Sequence, residues 1–137
     1  MRTHVSFEST PGVTVDVGAG AELASQLTAA LQRRGIATTP LRALDYAHEF
    51  EIQRGERTFY SMLGPANDDV RQRLWFADSR LGGLAKLIGR RDTTEHTAVV
   101  RAMHEVLVEL GMGSIRWYEP GDWNTAPDER WHREPVV

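Results

Sequence analysis

The sequence predicts an α+β domain: a largely antiparallel sheet of four to five strands with two amphipathic helices packed on one face. Three observations carry this. Two alternating runs between His48 and Gly64 flank Gly55-Glu56 and form a β-hairpin. Two apolar stripes at helical spacing each end at a glycine, Gly35 and Gly111. The element order is strand, helix, hairpin, strand, helix, strand, so short turns join most neighbouring strands. Two stripes and one apolar sheet face bury each other most economically, which leaves the other sheet face partly open.

The elements follow in chain order. His4-Val5-Ser6-Phe7-Glu8 alternates as a first strand, and Thr10-Pro11-Gly12 is a turn signal. Val13 to Val17 alternates again, as a short strand or extended lead-in. A helix is expected over about Ala19 to Arg34, with Leu23, Leu27, Ala30 and Leu31 as its stripe. Glu22 then falls in the first turn and Arg33-Arg34 in the last, both favourable to the helix dipole. Residues 36–47 carry no clear period, and Pro40 prevents a simple ladder there.

In the hairpin, a two-residue turn at Gly55-Glu56 pairs Arg54 with Arg57. That register sets Ile52 opposite Phe59 and Phe50 opposite Ser61. On the other face Glu51 meets Tyr60 and Glu49 meets Met62. Arg71 to Asp78 is a further strand, with Leu74 and Phe76 on one face and Arg73, Trp75 and Ala77 on the other. Residues 80–91 form a basic, glycine-rich connection. Asp92-Thr93-Thr94-Glu95 fits a capping box, and Val99, Met103, Val106, Leu107 and Leu110 make the second stripe. Ser114 to Tyr118 closes the domain, assigned to residues 1–119. Residues 120–137 contain Pro120, Pro127 and Pro135 and read as an irregular tail that Trp123 and Trp131 pin to the domain.

The chain has 137 residues, 26% charged and 41% hydrophobic, enough for one compact core. The formal net charge of −3 argues against nucleic acid as a partner, because that needs a basic footprint. Cysteine is absent, so no disulfide or thiolate chemistry is available. No apolar run reaches membrane-spanning length, and Met1-Arg2-Thr3-His4 opens no signal-peptide segment, so a cytoplasmic protein is expected. Of the 16 basic residues only Lys86 is lysine. GC-rich coding produces that bias, so single arginines say little about chemistry.

Several local patterns admit a chemical reading beside a blander one. Val13 to Glu22 resembles the opening motif of S-adenosylmethionine-dependent methyltransferases: strand, acid, G-x-G, helix. It departs where Glu22 replaces a further glycine, and a hairpin follows instead of repeated strand–helix units. A flexible entry into the first helix explains it better, and no cofactor is expected. His96 and His104 lie about 80° apart around a helix, and His104-Glu105 lacks the second histidine of H-E-x-x-H. No metal is therefore expected. Glu49 and Glu51, about 7 Å apart on one strand face, could build a two-acid hydrolase or nuclease site near Arg57 or Arg73. Alternating charges on an exposed strand more often serve solubility.

The face bearing Glu49, Glu51, Tyr60, Met62, Arg73, Trp75, Arg116 and Tyr118 is the main functional clue, because Tyr, Trp, Met and Arg are enriched at protein interfaces. The competing reading is that the tail folds over this face. The layout also resembles small α+β immunity proteins of bacterial toxin systems. The similar features, over residues 4–119, are the helix ending at Gly35, the acidic hairpin with Leu63-Gly64-Pro65, the Trp75-Phe76 strand, and the second helix leading to Ile115-Arg116-Trp117-Tyr118. The resemblance implies a non-catalytic protein that binds and blocks one toxin, and supplies no site residues. The expected partner is thus another protein, a toxin or a second copy of the chain.

Overall fold

The computed structural model describes residues 3–8, 17–44, 47–54, 57–65, 71–78, 94–119, 122 and 129–135, with side chains at all of these except 17–21, 65, 71–73 and 75–78. The elements in order are β1 (His4–Glu8), α1 (Val17–Arg33), β2 (Ala37–Thr38), β3 (Arg42–Ala43), β4 (His48–Arg54), β5 (Arg57–Pro65), β6 (Arg71–Asp78), α2 (Thr94–Glu109) and β7 (Gly113–Tyr118). The strands form one sheet of order β2-β4-β5-β6-β1-β7, with β3 also pairing β4. All of its pairings are antiparallel.

The α+β class and antiparallel sheet agree with the sequence reading, but the strand count is larger. Among the described residues there are seven strands where four to five are expected, and the additions are β2 and β3, of two residues each. They lie either side of Pro40, which has no N–H to give a ladder. One β-competent stretch is thereby cut in two, and both pieces pair with β4. The β4–β5 register is the predicted one throughout, from Arg54↔Arg57 to Ile52↔Phe59 and Glu49↔Met62.

Strand order departs most from chain order at β1, which lies between β6 and β7. Since β1 is antiparallel to both, β6 and β7 run parallel and need a crossover, which contains α2. A strand in that position loses solvent on both sides. Val5, Ser6 and Phe7 are fully buried.

The helix α1 begins at Val17, not near Ala19, so Val17 opens a helix instead of ending a strand. Gly18 and Gly20 are helical, so neither glycine forms a turn ahead of the helix. Glu22 moves out of the first turn, which holds no acid. The proposed strand residues 13–16 lie outside the described residues, as do Asp92 and Thr93 of the capping box.

Both helices end as expected, in the same motif. Gly35 N–H bonds to Gln32 C=O and Ile36 N–H to Leu31 C=O, each at 3.0 Å. Gly111 and Met112 repeat this on Val108 and Leu107. The glycines have φ of 79° and 78°. A Cβ at Gly35 would meet nothing within 4 Å, so only the backbone opposes a side chain there. Gly35→Ala is expected to destabilise the fold by about 1–2 kcal/mol. Gly35→Asn should lose less, since Asn tolerates the left-handed region better. Equal denaturation midpoints for wild type and Gly35→Ala would disprove this.

Leu23, Leu27 and Leu31 of α1 and Val99, Met103, Val106 and Leu107 of α2 enter one core cluster. The same cluster contains Val5, Phe7, Phe50, Ile52, Phe59, Leu63, Leu74 and Trp117 from the sheet. Alternation along β4 and β5 sets these residues apart from Glu49, Glu51, Tyr60 and Met62. The helices also meet at the surface, where Arg34 bonds Glu105 at 2.6 Å and Glu109 at 3.2 Å. Exposed pairs of this kind contribute about 0–1 kcal/mol.

Strand β7 is irregular. Two of its residues, Ser114 and Ile115, stand opposite Phe7, and Ser114 has φ of 49°. This is a bulge of the type that normally places glycine at the left-handed position. Beyond it, Trp117 and His132 exchange two backbone hydrogen bonds of 2.8 Å, which fasten residues 129–135 alongside β7. No helix among the described residues is long and apolar enough to cross a membrane.

Candidate functional site

The registers bring the eight residues singled out from the sequence to one strand parity. Arg42, Glu49, Met62, Trp75, His4 and Tyr118 are successive partners across the sheet. Beside that row, Glu51 is opposite Tyr60, and Arg73 is paired to Ser6, which is paired to Arg116. The side chains of Arg73 and Trp75 lie outside the described set. The others sit in three different environments.

At the β7 end the face is closed. Tyr118 is 1% exposed, and its hydroxyl lies 3.3 Å from the buried Ser6 Oγ. It cannot offer a contact surface as the sequence reading expected. Its hydroxyl is matched to another buried hydroxyl, as a buried polar group requires. The Arg116 guanidinium lies 5.0 Å from the centre of the Trp131 ring, so it holds the C-terminal segment. On the other side of β7, the Trp117 indole N–H donates to His104 Nδ1 at 3.0 Å. Nδ1 must therefore carry a lone pair, and Nε2 faces the Glu134 carboxylate at 3.8 Å. Trp131 and Glu134 thus secure the segment from both sides of β7. Trp131 was legible as a pin; Trp123 lies outside the described residues.

At the β4 edge, Glu49 is nearly buried and pairs with Arg42 Nε at 3.2 Å. The sequence reading placed Arg57 or Arg73 near the acids. Arg57 instead shares the parity of Phe59 and stacks 5.3 Å from its ring centre. The cation that reaches Glu49 comes from β3, a strand too short to show a period. A lone Pro with strand-forming pairs on both sides was the only available signal.

Between these ends, Glu51, Tyr60 and Met62 are half-buried and adjacent. The backbone of Glu51 is held on both sides by Thr39: its N–H donates to Thr39 Oγ1 at 2.8 Å, and its carbonyl accepts from Thr39 N–H at 3.0 Å. Among the described residues its carboxylate has no ion pair. The two acids therefore differ: Glu49 is nearly buried and paired with Arg42, and Glu51 is half-buried. Among the described residues no three His, Cys, Asp or Glu side chains gather as metal ligands. His48 and His96 are buried, His96 edge-on to Phe59 with ring centres 5.5 Å apart.

Compared with models of known protein families the chain matches none, and a search of curated proteins found no match.

Proposed function

We propose that the chain is a non-catalytic protein-binding module, an immunity-like protein that acts in the cytoplasm by binding and neutralising one cognate toxin. The observation that carries this reading is the cluster of Glu51, Tyr60 and Met62. It is half-buried, lies on β4 and β5, and has the strand parity opposite to Phe50, Ile52, Phe59 and Leu63 of the core cluster. The reading takes both helices to cover the Phe59 side, so that the Tyr60 side receives the partner. Aromatic and thioether side chains in such a position supply desolvated contact area, and the adjacent acid orients the encounter. The Glu49–Arg42 pair favours binding over hydrolysis, and the net charge of −3 disfavours nucleic acid.

The test is binding of the product of a toxin gene adjacent in the genome, measured by titration calorimetry. Tyr60→Ala should weaken that binding by roughly 30-fold, the effect of losing an anchor worth about 2 kcal/mol. The melting temperature should hardly move. A variant that melts early yet binds with unchanged affinity would place Tyr60 in the fold's support and refute the assignment.

A further inference from the structure

Resting on that reading of the β4–β5 face, we infer that the partner is a polypeptide presenting a cationic side chain, best an arginine, to Glu51. Its charged head meets the carboxylate, and its stem and planar face lie on Tyr60 and Met62.

The argument begins with two acids in equivalent positions. Glu49 and Glu51 are two residues apart on one strand and share its parity. Glu49 is answered from within the chain by Arg42. Among the described residues Glu51 has no such partner, and the interruption at Pro40 accounts for the difference. Strand β3 pairs only with His48 and Glu49, and β2 resumes pairing at Ile52 and Gln53. Thr39 fills the interval and uses both backbone groups of Glu51, leaving its carboxylate untouched. Thr39 thus fixes where Glu51 stands through its backbone alone.

Among the described residues, three arginines of the sheet are engaged elsewhere. Arg54, three residues along β4, pairs with Glu95 of α2 at 3.1 Å. Arg57 lies over Phe59, and Arg116 over Trp131. A half-buried carboxylate beside an aromatic ring gains more from an opposite charge than an exposed one, because water screens it less. The combination suits guanidinium, which hydrogen-bonds the carboxylate and stacks on the ring. One carboxylate does not suit a divalent metal ion, which takes about six or more oxygen ligands when it is calcium.

The experiment uses the full chain, labelled with nitrogen-15, and two capped peptides as probes. In one, arginine alternates with leucine; in the other, citrulline replaces every arginine, keeping shape but removing charge. The arginine peptide is expected to shift the amides of Thr39, Glu51, Tyr60 and Met62 saturably. The citrulline peptide should bind that face at least ~10-fold more weakly, the loss of one charge-assisted contact. Glu51→Gln should abolish the difference, whereas Glu22→Gln on the exposed side of α1 should preserve it; the amide spectrum of each variant shows that it is folded. Equal action of the two peptides, unchanged arginine-peptide affinity in Glu51→Gln, or shifts confined to acids on the helices would each overturn the inference. None of these outcomes touches the Tyr60→Ala result with the partner protein, so the binding-face reading can survive the loss of this one.

Discussion

Trp117→Ala is expected to lower stability by about 3–5 kcal/mol, the range for removing a buried Trp or Phe side chain. Trp117 is among the largest fully buried side chains, and it joins three parts of the fold. Its ring belongs to the core, its indole N–H bonds to His104 on α2, and its backbone bridges to His132. The loss is read as a lower denaturant midpoint at unchanged slope. In case Trp117→Ala does not fold, Trp117→Phe separates the contributions. It keeps most of the buried area and deletes the donor, for a smaller loss of about 1–3 kcal/mol. A loss below about 1 kcal/mol for Trp117→Ala would contradict its place in the core.

Leu27→Ala should rank close behind, with a loss of about 2–5 kcal/mol. Leu27 is fully buried, with Leu23 and Leu31 one turn either side on the stripe of α1. Val108→Ala on α2 is the internal reference. Val108 is 57% exposed, so its truncation should change stability by no more than about 0.5 kcal/mol. Comparable losses at the two positions would mean that α1 is not held by its apolar stripe.

Some of this architecture was legible because local chemistry decided it. The hairpin register follows from a two-residue turn plus strict alternation, since a slip by one residue would send Phe50, Ile52 and Phe59 to the wrong side. The helix ends follow from Gly35 and Gly111, whose positive φ other residues reach only at a cost. What was not legible depended on distant pairing. Two residues cannot display a period, so β2 and β3 left no trace beyond Pro40. The place of β1 between β6 and β7 is set by pairings spanning most of the chain, which no local window contains. Tyr118 was assigned to the correct parity, but alternation does not say what covers a face. The backbone bridge that brings the C-terminal segment to β7 is at His132, far from any local signal around Tyr118. Likewise Glu49 and Glu51 look equivalent in sequence, and only the path of residues 37–43 makes them different.

The irregular margins of the sheet have a consequence for behaviour at high concentration. Adding a strand to a sheet requires a straight run of free backbone donors and acceptors. On the β4 side that run is broken by Pro40 into two pieces of two residues. On the β7 side it is distorted at Ser114 and occupied at Trp117. Among the described residues neither margin offers such a straight run, although β4, β5 and β6 are seven to nine residues long and rich in strand-forming side chains. Among the described residues these margins thus disfavour backbone pairing between copies, which accepts almost any extended strand, relative to contact through side chains, whose chemistry can be selective.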